Sequence, residues 1–493
     1  MTLAENKDVN PIEQAMVTQD FKERPKHRYS KIHVFIIVFM AIQVLFLLTF
    51  SEPLSILWGG HPLFAIYNDN VIDRSARLIM IYHSLANPFV VANTFWIMEY
   101  YDTRDKFIPW LKWTMVPGAF FSGICGLVFA YTRWRFFHEL FYIGLFLIFI
   151  GGVLFIAAVF PIPGKFPDPK KATKGSLLFG LNLENYSLVI LAFCVLVSTI
   201  YAALAAIENF TGGIGEFLSQ FALNREPDAF LAEEVVKILH HDWVEEFIVS
   251  HLHIQLALSS AMVVMIGYKT SGIQGWVYSI ILWINPVGLI TISYGAWVLN
   301  HYLIWVGAGL LIINTTLMAI QGWIKTSKDH YEALGDEYKK LSARKRIRGI
   351  FSDSVKFSLY FIYLYAQIVV TICGILVGLK TREVYRLHEW MQVEYDFNVG
   401  HWHLLAVLIA TLLLLSAIDH FQRRKGILRS VAGWFLGIGG FIAFSGANWY
   451  MLRNPLANKY IPMYITFVGV WILIIGFAFG IINILISYRR RDR

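Results

Sequence analysis

Apolar residues in this chain gather into long runs separated by short polar stretches. The runs fall at about 32–50, 76–99, 108–131, 136–160, 186–207, 243–268, 273–299, 302–324, 357–379, 400–420, 428–450 and 463–487. Most are long enough to cross a bilayer as a helix. The pattern predicts an all-α, polytopic membrane protein with twelve transmembrane helices and both termini on one side. Residues 1–31 read as a polar tail, 32–487 as a single twelve-helix domain, and 488–493 as a short basic tail. The longest connection on the far side, 208–242, is acidic (Glu226, Asp228, Glu233, Glu234) and has room for a short helix. No internal repeat stands out.

Charge gives the runs an orientation. On the side of the two tails and the even-numbered connections, run ends included, lie 31 of the 42 Lys and Arg residues. The densest groups are Lys339, Lys340, Arg344, Lys345, Arg346 and Arg348 after the eighth run, and Arg423, Arg424 and Lys425 after the tenth. Positive charge concentrates on the cytoplasmic side of membrane proteins, so both termini are expected there, in a cell (inner) membrane. An eleven-helix count would mix these groups across both sides.

Composition narrows the chemistry. A chain that is 57% hydrophobic, with 16 Trp and 38 Phe, is not a soluble globule. Its net charge of +8 reads as a basic membrane face, against lipid, and not as nucleic-acid binding. Cys125, Cys194 and Cys373 all lie in apolar runs, with no C-x-x-C-H and no paired-cysteine metal motif. Any metal must therefore be held by His, carboxylate, amide or Tyr. The first apolar run begins too far into the chain for a cleavable signal.

Histidine placement suggests a site. His401 and His403 open the tenth run within Asn398-Val-Gly-His-Trp-His-Leu404. Two residues apart on a helix, they point roughly 200° away from each other. They cannot share one metal, but they can hold two planar cofactors on opposite faces. An interfacial pair would explain the motif alone; the other histidines argue for more. At about 1.5 Å per residue, His83 in the second run, His251 and His253 in the sixth, His301 after the seventh, and His401 and His403 all fall in the outer third of the membrane. Ionisable side chains inside a membrane are costly and usually functional. His138, His61, His388 and His420 read as interfacial or solvated.

The order and depth of these residues resemble the catalytic subunit (subunit I) of the haem-copper oxidase and nitric oxide reductase superfamily. Arg77-Leu-Ile-Met-Ile-Tyr-His83 is similar to the second-helix signature, and Val399-Gly-His-Trp-His-Leu404 to the tenth-helix signature. Asn300-His-Tyr-Leu-Ile-Trp-Val-Gly307 is similar to a seventh-helix segment of nitric oxide reductases. The resemblance implies a low-spin haem between His83 and His403, a high-spin haem on His401, and a second metal at His251 and His301. The haems would be of the b type, and Arg453 would pair with a haem propionate. Electrons would arrive from a c-type cytochrome, a cupredoxin or a quinol, because the chain has no electron-entry motif of its own.

Departures from the family pattern shift the expectation. Asn300 stands where the family has the first of two histidines, and Gln255 where it has a Tyr or a Glu. Amide oxygens are harder ligands than imidazole, so non-haem iron is expected over copper. His253 faces away from His251 but remains a candidate ligand. Tyr294 has the spacing of a redox tyrosine in one oxidase branch, although a Tyr at this depth is also ordinary in an interfacial belt. The divergent reductase-like pattern implies a respiratory, denitrification-type oxidoreductase that reduces nitric oxide to nitrous oxide. Dismutation of NO to N2 and O2, oxygen reduction, and a non-catalytic dihaem electron-transfer role stay open. Glu245 and Glu246 lie at the outer mouth and are candidates for proton entry. No row of acidic or Lys residues is evident through the inner halves of the helices. Only Tyr360, Tyr363, Tyr365 and Gln367 hint at a polar path there.

Overall fold

The computed structural model describes residues 30–50, 71–132, 134–163, 165–168, 173–179, 181–211, 261–298, 300–384, 407–421, 426–452, 458 and 460–491. They are almost wholly α-helical. The helices are α1 (Ser30–Phe50), α2 (Val71–Tyr100), α3 (Ile108–Phe120), α4 (Gly126–Thr132), α5 (Arg135–Val159) and α6 (Leu183–Thr211). Then come α7 (261–271), α8 (Trp276–Trp297), α9 (His301–His330), α10 (Ala343–Ile350), α11 (Ser354–Val384), α12 (407–421), α13 (Ile427–Leu452) and α14 (Tyr460–Arg491). A two-residue hairpin pairs Leu177–Leu178 with Leu181–Asn182. Among the described residues, seven helices are long and apolar enough to cross a membrane, with shorter apolar helices at Lys31–Phe46, Ser354–Val369 and Val407–Phe421. The protein is membrane-embedded and all-α.

Each apolar run coincides with a described helix or with the described part of one. The third run is broken by a π-helical turn, Phe121–Cys125, between α3 and α4. The cause is a close crossing with α5. A Cβ on Gly144 would strike the Ser122 backbone nitrogen, and the Ser122 hydroxyl donates to the Gly118 carbonyl at 2.7 Å. Small residues let two backbones approach in a membrane, and the extra residue of a π turn re-aims the chain there. Several helices outrun their apolar runs: α9 continues to His330, α11 to Val384, and α14 takes in Tyr488–Arg491 of the expected tail. The region 208–242 lies outside the described residues apart from the end of α6.

The packing is a ring around a core. Consecutive neighbours run α1, α2, α4 with α3, α5, α6, α8, α9, α11, α13 and α14, and α14 returns to pack on α1. Among the described residues, three stretches are enclosed on all sides: 91–98 of α2, 261–268 of α7 and 407–418 of α12 are buried at every position. A helix that is apolar all round belongs in an interior. The ring helices instead show exposed flanks, Phe146 of α5 and Val468 of α14 among them. Exposed aromatics mark both levels of the bundle. Trp110, Trp113 and Trp276 stand at one end, and Trp134, Trp449 and Tyr460 at the other, as expected of interfacial belts. The first end also gathers Lys174, Lys325, Lys339 and Arg344, and is called the basic end below.

Candidate functional site

α2 brings His83 into the bundle. Pro88 sits inside this helix, one turn beyond, and lacks the N–H that would bond back to Ser84. The Ser84 hydroxyl donates to the Met80 carbonyl at 2.6 Å, and Gly126 of α4 lies so close that a Cβ there would collide with the Ser84 hydroxyl. The helix is thus firmly held beside His83, which is half-buried. Of the other expected ligands, His251, His253, Gln255, His401, His403 and Arg453 lie outside the described residues, as do Glu245 and Glu246. His301 is the first residue of α9.

Asn300 has a local role that the sequence reading did not anticipate. It is the N-cap of α9, with extended backbone angles (φ −98°, ψ 97°). Its carboxamide oxygen accepts from the backbone N–H groups of Tyr302 at 3.0 Å and Leu303 at 3.3 Å. That oxygen is the atom a metal would need, and here it satisfies two of the free donors of the helix start. Asn300→Ala is therefore expected to cost about 1 kcal/mol, and Asn300→Asp to retain stability. Thermal unfolding of the two variants measures this. Loss of bound metal from a stably folded Ala variant would instead make the carboxamide a ligand.

Tyr294 is 60% exposed on α8, at the level of Trp297 and Tyr302, which are also exposed. That is the setting of a belt tyrosine and not of a buried redox partner.

A buried polar column occupies the half of the bundle toward the basic end, where the sequence suggested only the tyrosines and glutamine of the ninth run. Lys269 of α7 donates to Glu184 of α6 at 2.6 Å and to the Thr173 hydroxyl at 2.9 Å. The Tyr278 hydroxyl donates to the same Glu184 oxygen at 2.6 Å, and the Lys269 ammonium lies 4.6 Å from the centre of the Tyr101 ring. Next to Tyr278, at 5.9 Å between ring centres, Tyr268 donates to the Asn314 carboxamide oxygen at 2.6 Å. The Asn314 amide donates to Asn285 at 3.1 Å, and the Asn285 amide to the Ala261 carbonyl at 3.2 Å. Tyr278, Tyr268, Asn314 and Asn285 are fully enclosed. The column ends on Ala261, roughly 12 Å along the helix from Lys269 at 1.5 Å per residue. Tyr363 joins α7 from α11 by donating to the Val263 carbonyl at 2.7 Å.

Two further polar groups tie helices at the basic end. The Arg429 guanidinium of α13 is 3% exposed; it donates to both Asp353 oxygens, at 3.1 and 2.8 Å, and to Asp419 of α12 at 2.8 Å. Its other nitrogen donates to the Ile418 carbonyl at 3.1 Å. Nearby, Glu99 of α2 lies 3.7 Å from His33 of α1 and 3.5 Å from His420 of α12. His420 is also 3.2 Å from the Tyr100 hydroxyl, and Trp96 packs against both imidazoles. His420 is thus packed inside the bundle, contrary to the interfacial or solvated reading. His138 is half-buried at the start of α5, stacked on Phe129 at 4.2 Å. His33 is a buried group that sequence pattern alone does not reveal. Its apolar neighbours hide it in the sequence, and its position on the enclosed side of α1 is the only signal that finds it.

Among the described residues, no group of three or more His, Cys, Asp or Glu side chains is arranged to hold a metal ion. No known protein family, curated protein or solved structure matches the chain.

Proposed function

We propose that this protein is a membrane-bound, haem-containing respiratory reductase that converts two NO, two electrons and two protons into N2O and water. The observation that carries the reading is the enclosure of α2, α7 and α12. His83 lies on the first, and the second and third continue the apolar runs that carry His251, His253, His401 and His403. A cofactor site built from several helices needs ligands on helices that enter the interior, and among the described residues these three carry the fully buried stretches.

His83 and His403 would hold a low-spin haem, His401 a high-spin haem, with Arg453 beside a propionate. His251 and His301, with Gln255 and His253 as further candidates, would hold a non-haem metal, with iron favoured over copper. These groups supply electron transfer and binding of the gas when present. A half-buried imidazole on an enclosed helix fits the first role. Asn300 fits the second poorly while its oxygen caps α9. The twelve-span topology puts both termini and the basic end in the cytoplasm, and the histidines in the outer half of the bilayer. A c-type cytochrome, a cupredoxin or a quinol is the expected electron donor.

The chain's own residues bear on proton supply. Sequence reasoning favours outer entry at Glu245 and Glu246. The Lys269–Glu184–Tyr278 group and the Tyr268–Asn314–Asn285 chain support a second route from the cytoplasmic side. The Glu184 carboxyl and the Tyr278 and Tyr268 hydroxyls can each accept one proton while giving up another, and the Asn314 and Asn285 carboxamides hold Tyr268 in place. Glu184→Gln is expected to slow NO turnover by about tenfold or more with haem content unchanged. Unaltered turnover would leave the outer carboxylates as the entry.

Metal and haem content of the purified protein tests the whole reading, by pyridine haemochrome together with elemental iron and copper. Two haems and one further iron support the reductase, and detection of N2O or O2 then separates reduction from dismutation. One copper would favour oxygen reduction. Two haems and no further metal would indicate a dihaem electron carrier. Absence of haem would overturn the proposal.

A further inference from the structure

The connection from α9 to α11 is a rigid cationic ledge. Beyond α9 the chain forms a 3-10 helix (Glu332–Lys340) and then α10, whose N-cap is the Ser342 hydroxyl accepting from the Lys345 N–H at 3.4 Å. The ledge is tied back to the end of α9. The Ser327 hydroxyl donates to the Arg346 carbonyl at 2.7 Å, and the Tyr331 hydroxyl to the Lys345 carbonyl at 3.2 Å. Gly349 packs so closely on Ser327 and Tyr331 that a side chain there would displace them.

From this ledge Arg344, Lys345, Arg346 and Arg348 all point outward as exposed side chains, and α10 contains no acidic residue. Glu337, just before it, is engaged by Lys340 at 3.8 Å. Apolar groups stand among the cations. Ile347 is 54% exposed and Phe351 47% exposed, the latter 4.5 Å between ring centres from Phe357 on the apolar surface of α11. A helix bearing only cations, with bare apolar side chains beside it and fixed where two apolar helices end, matches the boundary of a bilayer. Headgroup phosphates meet the cations, and the apolar side chains enter the acyl edge. A soluble anion would use the cations and leave Ile347 and Phe351 idle.

We propose that α10 and the adjoining Phe351 form a binding site for the headgroup of anionic phospholipids. The proposal does not depend on haem or on the substrate.

The test uses the full chain in neutral detergent, titrated with dioleoyl phosphatidylglycerol or dioleoyl phosphatidylcholine and followed by native mass spectrometry. The anionic lipid is expected to be retained and the zwitterionic one not. Each cation removed should weaken retention about fivefold, so Arg344→Gln, Lys345→Gln and Arg348→Gln together should abolish it. Arg348→Gln alone should show a fivefold loss and keeps the test in hand if the triple variant does not fold. A charge-conserving triple variant (Arg344→Lys, Lys345→Arg, Arg348→Lys) should bind like the wild type. Equal retention by the wild type and by the Gln variants would place the lipid elsewhere and overturn the proposal. Displacement of the lipid by millimolar inorganic phosphate would also overturn it, making the ledge a free-anion site.

Discussion

Arg429→Ala is expected to cost about 3–5 kcal/mol of stability, enough to threaten the fold. The guanidinium is buried and bonded to Asp353 and Asp419, so its removal leaves two largely buried carboxylates without the cation they share. The size of the effect comes from that stranded charge more than from the lost attraction. Arg429→Lys should fall between, because a single ammonium cannot reproduce the paired contact with Asp353 and still reach Asp419 and the Ile418 carbonyl. Unfolding midpoints in detergent measure the series. An Ala variant that unfolds like the wild type would show the group to be solvated and incidental.

His83→Ala should abolish the low-spin haem, and His403→Ala should do the same. In the proposed site each deletes one of two axial imidazoles, and a haem held there by one protein ligand would lose its six-coordinate spectrum. His401→Ala should spare that spectrum and remove the high-spin component. The three variants therefore separate by absorption spectroscopy of the reduced protein, without reference to turnover. Identical spectra for wild type and His83→Ala would remove the second helix from the site. Arg429 variants give the control for misfolding, since they disturb α12 at Asp419.

The helices were legible because a bilayer demands uninterrupted apolar length, and that demand is written residue by residue. What the runs did not display is which helix faces which neighbour. The continuous burial of 407–418 has a sequence counterpart, the unrelieved apolar stretch from Val407 to Leu415 broken only by Thr411. A ring helix such as α5 is just as apolar, because lipid and protein interior make similar demands on its surface. Lys269 and Glu184 were passed over for a related reason. Each stands at the edge of an apolar run, where a charge reads as the end of a span, and only the folded chain brings them together. Asn300 was read by its place in a motif, while the residue type also suited a helix start. The six candidate histidines cannot be weighed equally: His83 is half-buried on α2 and His301 begins α9, whereas the other four fall outside the described residues.

Closure of the ring has a consequence for the order in which the protein is made. α1 packs on α2 and on α14, so its second neighbour emerges from the ribosome only after all the other described helices. Through most of synthesis α1 must keep one flank against lipid or against the insertion machinery, and α2, α7 and α12 lack a complete wall. The bundle therefore cannot mature helix by helix from its N-terminal side. Burial of the enclosed stretches is completed in one late event, when the last helix to be inserted meets the first.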